Sequence, residues 1–292
     1  MAKKTNVFTD SWITFRDVGV DLAHLLHFLP WQLKMARNAT QRSLKVVEEM
    51  GRPGKFGAGT ALAIIDIFRD GEFTYRMPAG KRSTQGNDIE PMLSEVEGRF
   101  HNSVLVSLHE ALELYVKRIF EAMLYQLRNK LSLKDKSGFH SAIRNAHKHK
   151  GTPEYYRLYT RWACKRDCRR AWQTFRDELD WSVVKQDGWL DMDWITVVET
   201  LSLCRNFIAH DEGRVAETKW NDISRPQQRF IQSLMRESML TGERRILVSK
   251  DQAHGFLEAI MAAGYGVYVL LSRQLGMNLD MKLGTMQHAS KD

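Results

Sequence analysis

Apolar positions recur along this chain with helical rather than alternating spacing, over stretches longer than strands use. The strongest predicts a helix over 100–130. Its buried face is Val104, Leu108, Ala111, Leu112, Tyr115, Ile119 and Met123, with Ser103, Ser107, Glu110, Lys117 and Glu121 elsewhere on its surface. Residues 191–210 predict another helix, in which Val197, Leu201, Cys204 and Ile208 form an apolar stripe. Residues 8–29 also read as helical, and Pro30 opens a second helix over 31–50, as proline does at a first helical position. Further helices are predicted over 154–179 and 227–240, and a final one over 252–275, capped by Asp251. Extended character is confined to short pieces, 72–77 and 244–249.

Breaks in the pattern divide these elements. Gly51 to Thr60 is a glycine-rich, basic loop, Ala61 to Phe68 a short apolar segment, and 78–91, rich in Gly, Ser, Lys and Asn, reads as a linker. Residues 131–153 form a polar connector, Asp187-Gly188 marks a turn, and 214–226 read as a loop. The resulting fold class is all-α: a mostly helical N-terminal extension over 1–94, a helical domain over 95–276 and a loose tail over 277–292.

Composition narrows the function classes. Hydrophobic content of 43% suits a folded protein with an ample core, and the net charge of +8 favours a polyanionic partner. Three cysteines, an odd number, and a Met1-Ala2-Lys3-Lys4 start that leads into mixed polar sequence predict a reducing cytoplasm. Ala259 to Leu271, the most apolar run, is too short to span a bilayer and reads as a buried helix, so no membrane partner is expected.

The densest chemistry lies at the end of the helix over 191–210, in Arg205-Asn206-Phe207-Ile208-Ala209-His210. Glu199, Ser202, Asn206 and His210 share a polar stripe, and Leu203 and Phe207 lie beside it as a second apolar patch suited to a pocket or a subunit contact. Arg205 sits about 100° round from Asn206, with a side chain long enough to swing toward His210. These residue types fit RNA cleavage, in which the 2′-hydroxyl attacks the adjacent phosphate. Histidine can move either proton near neutral pH. Arginine presents a fixed fork to phosphate oxygens, and Asn206 can orient the imidazole or hold such an oxygen. The plainer reading gives Arg205 a salt bridge, leaves Asn206 solvated and lets His210 complement the helix dipole.

The segment Arg205 to His210 resembles the R-x4-6-H signature of HEPN domains, including the polar residue that often follows the arginine. The resemblance covers about 95–276 and implies a HEPN-like helical bundle acting as a metal-independent endoribonuclease of an antiviral or toxin system. It implies RNA, tRNA included, as substrate, no cofactor, and a homodimer in which two motifs meet, the contact placed at Leu203 and Phe207. An antitoxin or defence-system companion protein is a further implied partner. Glu110, on the neighbouring long helix, becomes a candidate to orient His210. His109 beside it carries no assigned role. Some family members carry a modifiable tyrosine two residues after the histidine; Glu212 stands there in this chain, which puts that inactivation route in doubt.

Other features compete. Arg161, Lys165, Arg166, Arg169 and Arg170 interleave with Tyr155, Tyr156, Tyr159, Trp162 and Trp172, a mixture that suits RNA phosphates and stacked bases, or a solvated basic face whose aromatics pack inward. This supports an alternative function, a non-catalytic helical RNA- or protein-binding module. The loop over 51–60 raises a third, a nucleotide-binding regulator using Lys55, although no Walker arrangement is present. Cys164 and Cys168 with His147 and His149, and His24 with His27, lack standard zinc spacing, and no metal is expected.

Overall fold

The computed structural model describes residues 5–50, 89–130, 133, 136–165, 167–179, 194–238 and 242–279, and four three-residue strands between 51 and 88. Nine α-helices dominate the described residues: α1 (Thr9–Glu49), α2 (Ile89–Gln126), α3 (Lys136–Ala142), α4 (Pro153–Ala163), α5 (Arg169–Glu178), α6 (Trp194–Asp211), α7 (Glu217–Trp220), α8 (Arg225–Leu234) and α9 (Lys250–Gln274). Strands β1 (Ala58–Thr60), β2 (Ile64–Asp66), β3 (Thr74–Arg76) and β4 (Arg82–Thr84) pair antiparallel as β1 with β4 and β2 with β3. Strands β5 (Met235–Glu237) and β6 (Arg244–Ile246) form a third two-stranded ladder. The fold is all-α, with these ribbons as its only described strands.

The long helix α2 is the axis of the core. Val104, Leu108, Leu112, Tyr115, Ile119 and Met123 are buried as expected, and so are Leu105, Val116, Phe120 and Leu124 between them. A helix buried on several sides must have neighbours on several sides. α1 and α9 pack on one flank of α2, and α4, α5 and α6 take the others. α1 runs antiparallel to α2: Phe15 stacks on Tyr115 at 4.8 Å, and Arg37 pairs with Glu97 at 3.8 Å near the other end. Gly264 on α9 lets Phe15 approach so closely that an added Cβ would lie 2.5 Å from its ring. The Tyr115 hydroxyl donates to the Gly264 carbonyl at 2.7 Å. The expected boundary at residue 94 falls inside α2, and Phe8, Trp12, Phe15, Leu22 and Leu26 of the N-terminal segment join the common core.

Several boundaries differ from expectation, each for a physical reason. Pro30 does not start a new helix but lies inside α1. The lost backbone donor is tolerated because Leu22, Leu26, Leu29 and Leu33 bury one continuous face through that point. The helix expected over 154–179 is two, α4 and α5, so the chain turns between Ala163 and Arg169 and both short helices pack inward. The 131–153 connector contains α3 and a 3-10 turn at Ala146–His149, and the 214–226 loop contains α7. Thr60 and Arg82 pair where a loop and a linker were expected. Ser249, not Asp251, caps α9: its hydroxyl accepts from the Gln252 amide, and the Gln252 side chain answers at the Ser249 amide. α9 is long and apolar enough to cross a membrane by length and composition, but Phe256, Ile260, Val267 and Leu271 are buried in the core. Residues 277–279 are not loose, since Met277 is buried and the Asn278 carbonyl accepts from the Asn6 amide at 3.0 Å.

Candidate functional site

The motif helix α6 buries Val197, Leu201 and Cys204 as its periodicity requires, with Ile208 partly buried against the same core. Phe207 departs from expectation. It is 2% exposed, its ring packed in the core with the Lys219 ammonium 5.5 Å from its centroid, and Leu203 is half-buried. Phe207 therefore belongs to the same broad buried arc as Thr200 and Cys204 and is not available for the dimer contact expected there, while Leu203 at the edge of that arc stays partly exposed.

The C-terminal end of α6 is locked. Glu212 and Gly213 take left-handed backbone conformations at φ 52° and 83°, and the Gly213 amide donates to the Phe207 carbonyl at 2.7 Å. The Ile246 amide donates in turn to the Gly213 carbonyl at 2.9 Å, and a Cβ at Gly213 would meet that strand at 3.0 Å. Glycine is thus required at 213 by conformation and by space. The Glu212 carboxylate accepts at 2.7 Å from Arg245, a guanidinium only 2% exposed, which also donates to Glu243 at 3.1 Å. Burial opposes that charge, but the two carboxylates outweigh it and hold the Arg245 pKa above its ordinary value; Arg245 in turn holds the Glu212 carboxyl below its own. So Glu212, found where some HEPN proteins carry tyrosine, anchors the end of α6. The 33-residue separation of this pair left no periodic signal in the sequence.

About two turns earlier lies the more open cluster. The Arg205 guanidinium donates to Asn206 Oδ1 at 3.0 Å and to Glu110 Oε1 on α2 at 3.2 Å, while its buried Nε has no partner among the described residues. Glu110 therefore sits against Arg205 and not against His210. The Arg205 side chain is 26% exposed and that of Glu110 56%, so the pair is screened by water and holds orientation more than it adds stability. His109, the neighbour of Glu110, is buried with Nδ1 unpartnered. Burial first, then the Arg205 charge, lowers its pKa to about 4, so its imidazole is neutral at neutral pH. His109 and Asn206 line one cleft together with Asp167, Arg169, Trp172 and Ser202.

His210 is exposed at the last turn and lines a different cleft, with Glu212, Arg214 and Val215. It has no hydrogen bond or ion pair among the described residues. The structure thus brings Arg205, Asn206 and Glu110 together, adds His109, and leaves His210 one turn away with its ring free to meet an incoming group.

The basic segment is only half as expected. Arg161 and Lys165 are exposed, Arg169 lies 3.6 Å from Glu199, and Arg166 lies outside the described residues. Tyr155, Tyr156, Tyr159 and Trp172 are buried, and Arg170 covers the Trp162 ring at 4.4 Å. The aromatics pack inward and are not platforms for bases; what faces solvent is cationic. Cys164 and Cys168 are buried free thiols, and Cys168 donates to the Glu113 carbonyl at 3.6 Å. Hydrogen bonding with Cys164, then burial, pushes the Cys168 thiol far above its ordinary range. No cluster of three or more metal-binding side chains occurs among the described residues. Residues 51–57 with Lys55, and the turn at Asp187-Gly188, lie outside the described residues. Compared with known protein families, curated proteins and solved structures, the chain matches none.

Proposed function

We propose that this chain is a metal-independent endoribonuclease of HEPN type, acting in the cytoplasm in an antiviral defence or toxin system. The observation that carries the reading is the cluster on α6: a half-buried Arg205 held by Asn206 at 3.0 Å and Glu110 at 3.2 Å, on the helix that ends in an exposed, unpaired His210. A guanidinium aimed by two acceptors keeps donors for a phosphate and loses little freedom when one binds. In the reaction the 2′-oxygen attacks phosphorus, the P–O5′ bond breaks, and a 2′,3′-cyclic phosphate and a 5′-hydroxyl result. His210 takes the 2′ proton or supplies the 5′ one, and Arg205 stabilises the charge on the phosphorane. One chain supplies one such exposed imidazole at the motif, so two copies complete the acid–base pair.

The test is incubation of total cellular RNA, tRNA included, with purified wild type and His210→Ala in the presence of chelator. Cleavage by wild type alone, with cyclic phosphate ends, is the expected result. Equal cleavage by both proteins overturns the assignment. A second reading, a non-catalytic RNA-binding module, is favoured by the exposed Arg161 and Lys165 and by the separation of His210 from the cleft that Asn206 lines. It predicts salt-dependent binding without cleavage, lost on replacing Arg161 and Arg169 but not His210.

A further inference from the structure

The longest run of exposed large apolar side chains among the described residues lies on one helix, α1. Leu25, Phe28, Trp31 and Met35 stand open to solvent, Phe28 at 58% and Trp31 at 63%, while the opposite side of the helix buries Leu22, Leu26, Leu29 and Leu33. A contiguous aromatic and aliphatic stripe of this kind marks a contact surface on a folded protein. Its spacing is that of a helix-pairing seam: Asp21, Leu25, Phe28, Gln32, Met35, Ala39 and Arg42 follow in alternating steps of four and three.

The charges flanking the stripe specify the occupant. Toward the N-terminus the face carries Asp21, with Asp17 beside it held by Arg16 at 2.7 Å; toward the C-terminus it carries Arg42, with Lys34 and Lys45 nearby, all but Arg16 exposed. A parallel pairing of two such helices would set acid on acid and base on base. An antiparallel pairing about a two-fold axis near Pro30 sets Leu25 against Met35, gathers Phe28 and Trp31 at the centre, and brings Asp21 within one turn of Arg42 of the second copy at both ends. A surface that is complementary to its own reverse is what an isologous two-fold contact requires. We infer that the exposed face of α1 pairs antiparallel with the same face of a second copy of this chain, a two-fold contact separate from the meeting of α6 motifs that the ribonuclease reading calls for. This inference does not depend on the ribonuclease reading, since it concerns a different helix and a readout other than cleavage.

The experiment is light-scattering molar mass of the full-length chain across a concentration series, with melting temperature as the control for folding. Wild type is expected at twice the chain mass, and Phe28→Asp with Trp31→Asp at the chain mass with an unchanged or higher melting temperature. Asp21→Arg and Arg42→Asp should each weaken dimerisation about tenfold through like charges at both ends of the seam. The two combined should restore it, because reversed charges still match. A monomeric wild type overturns the inference, as does failure of the combined swap to restore what the single swaps lose. Binding of a monomeric wild type to anionic phosphatidylserine vesicles through Phe28 and Trp31 also overturns it, by giving the face to a lipid surface.

Discussion

Two arginines stand within reach of the end of α6, and they are held in opposite ways. Arg245 is 2% exposed and divided between Glu212 at 2.7 Å and Glu243 at 3.1 Å, with Arg214 bridging to Glu243 at 3.0 Å on the outside. Arg205 is 26% exposed and shares itself between an amide and one half-exposed carboxylate, beside a buried neutral histidine. The same side chain is thus used once as an internal fastener, its charge spent on carboxylates, and once as an aimed cation. Proximity to the motif does not separate the two, and neither does a spare donor, since Nε is buried without a partner among the described residues in both; depth of burial and the number of carboxylates held do.

Replacements at the two sites should therefore fail differently. Arg205→Ala and His210→Ala should remove RNA cleavage by at least a hundredfold each with small changes in melting temperature, the signature of lost transition-state stabilisation. Arg245→Ala should do the reverse, lowering stability by removing a buried side chain that ties two solvent-facing carboxylates to the end of α6, while leaving residual cleavage in the folded fraction. Cleavage assays and denaturant titrations on the three variants decide whether the division holds. Phe207→Ala should cost about 3–5 kcal/mol by leaving a core cavity, more than Leu203→Ala; equal small costs would mean that Phe207 is an open surface after all.

His109 sharpens the comparison through pH. Its folded pKa of about 4 lies below the ordinary histidine value of 6.5. The unfolded chain therefore binds the proton more readily than the folded one between those values, and the stability due to a neutral His109 is full above pH 6.5 and lost as pH falls toward 4. The loss integrates to about 3 kcal/mol as an order of magnitude. His109→Gln should flatten the melting-temperature profile over that window, and a profile with unchanged slope would remove His109 as its source. His101, also lowered by burial, contributes a slope that this variant leaves in place. The smallest expected effect is that of Glu110→Gln, which changes stability by less than about 1 kcal/mol because the pair is half in water. It should nonetheless slow cleavage several-fold by letting Arg205 wander, measurable as a fall in kcat with little change in KM.

The core of α2 was legible because a strict helical repeat from Val104 to Met123 has one physical meaning, burial of that face. The site was legible only as a local string. Arg205, Asn206 and His210 lie on one helix; Glu110 was named only through the family resemblance, and for His210 where the structure sets it on Arg205, while Arg245, from a distant element, is encoded by no spacing. Phe207 was misassigned because the stripe was drawn too narrow: Thr200, Cys204 and Phe207, spaced four and three apart, widen the buried side of α6 beyond Val197, Leu201 and Ile208. Pro30 misled for a related reason: local propensity argued for a break, and the continuous buried leucines of α1 overrode it. The α9 cap, by contrast, was there to be read, since Ser249 and Gln252 carry the spacing of a capping box.

Asn102 on α2 has a consequence for how copies of this chain can meet. Its amide donates to the Ile246 carbonyl at 2.7 Å and accepts from the Val248 amide at 3.1 Å, while His101 Nδ1 lies 3.0 Å from the Val248 carbonyl. One side chain thereby does what a neighbouring strand would do, occupying the donor and acceptor that β6 and its extension present on that edge. An uncovered edge invites strand-by-strand accretion into open-ended aggregates. With that edge plugged from within, intermolecular growth by sheet extension is closed at β6.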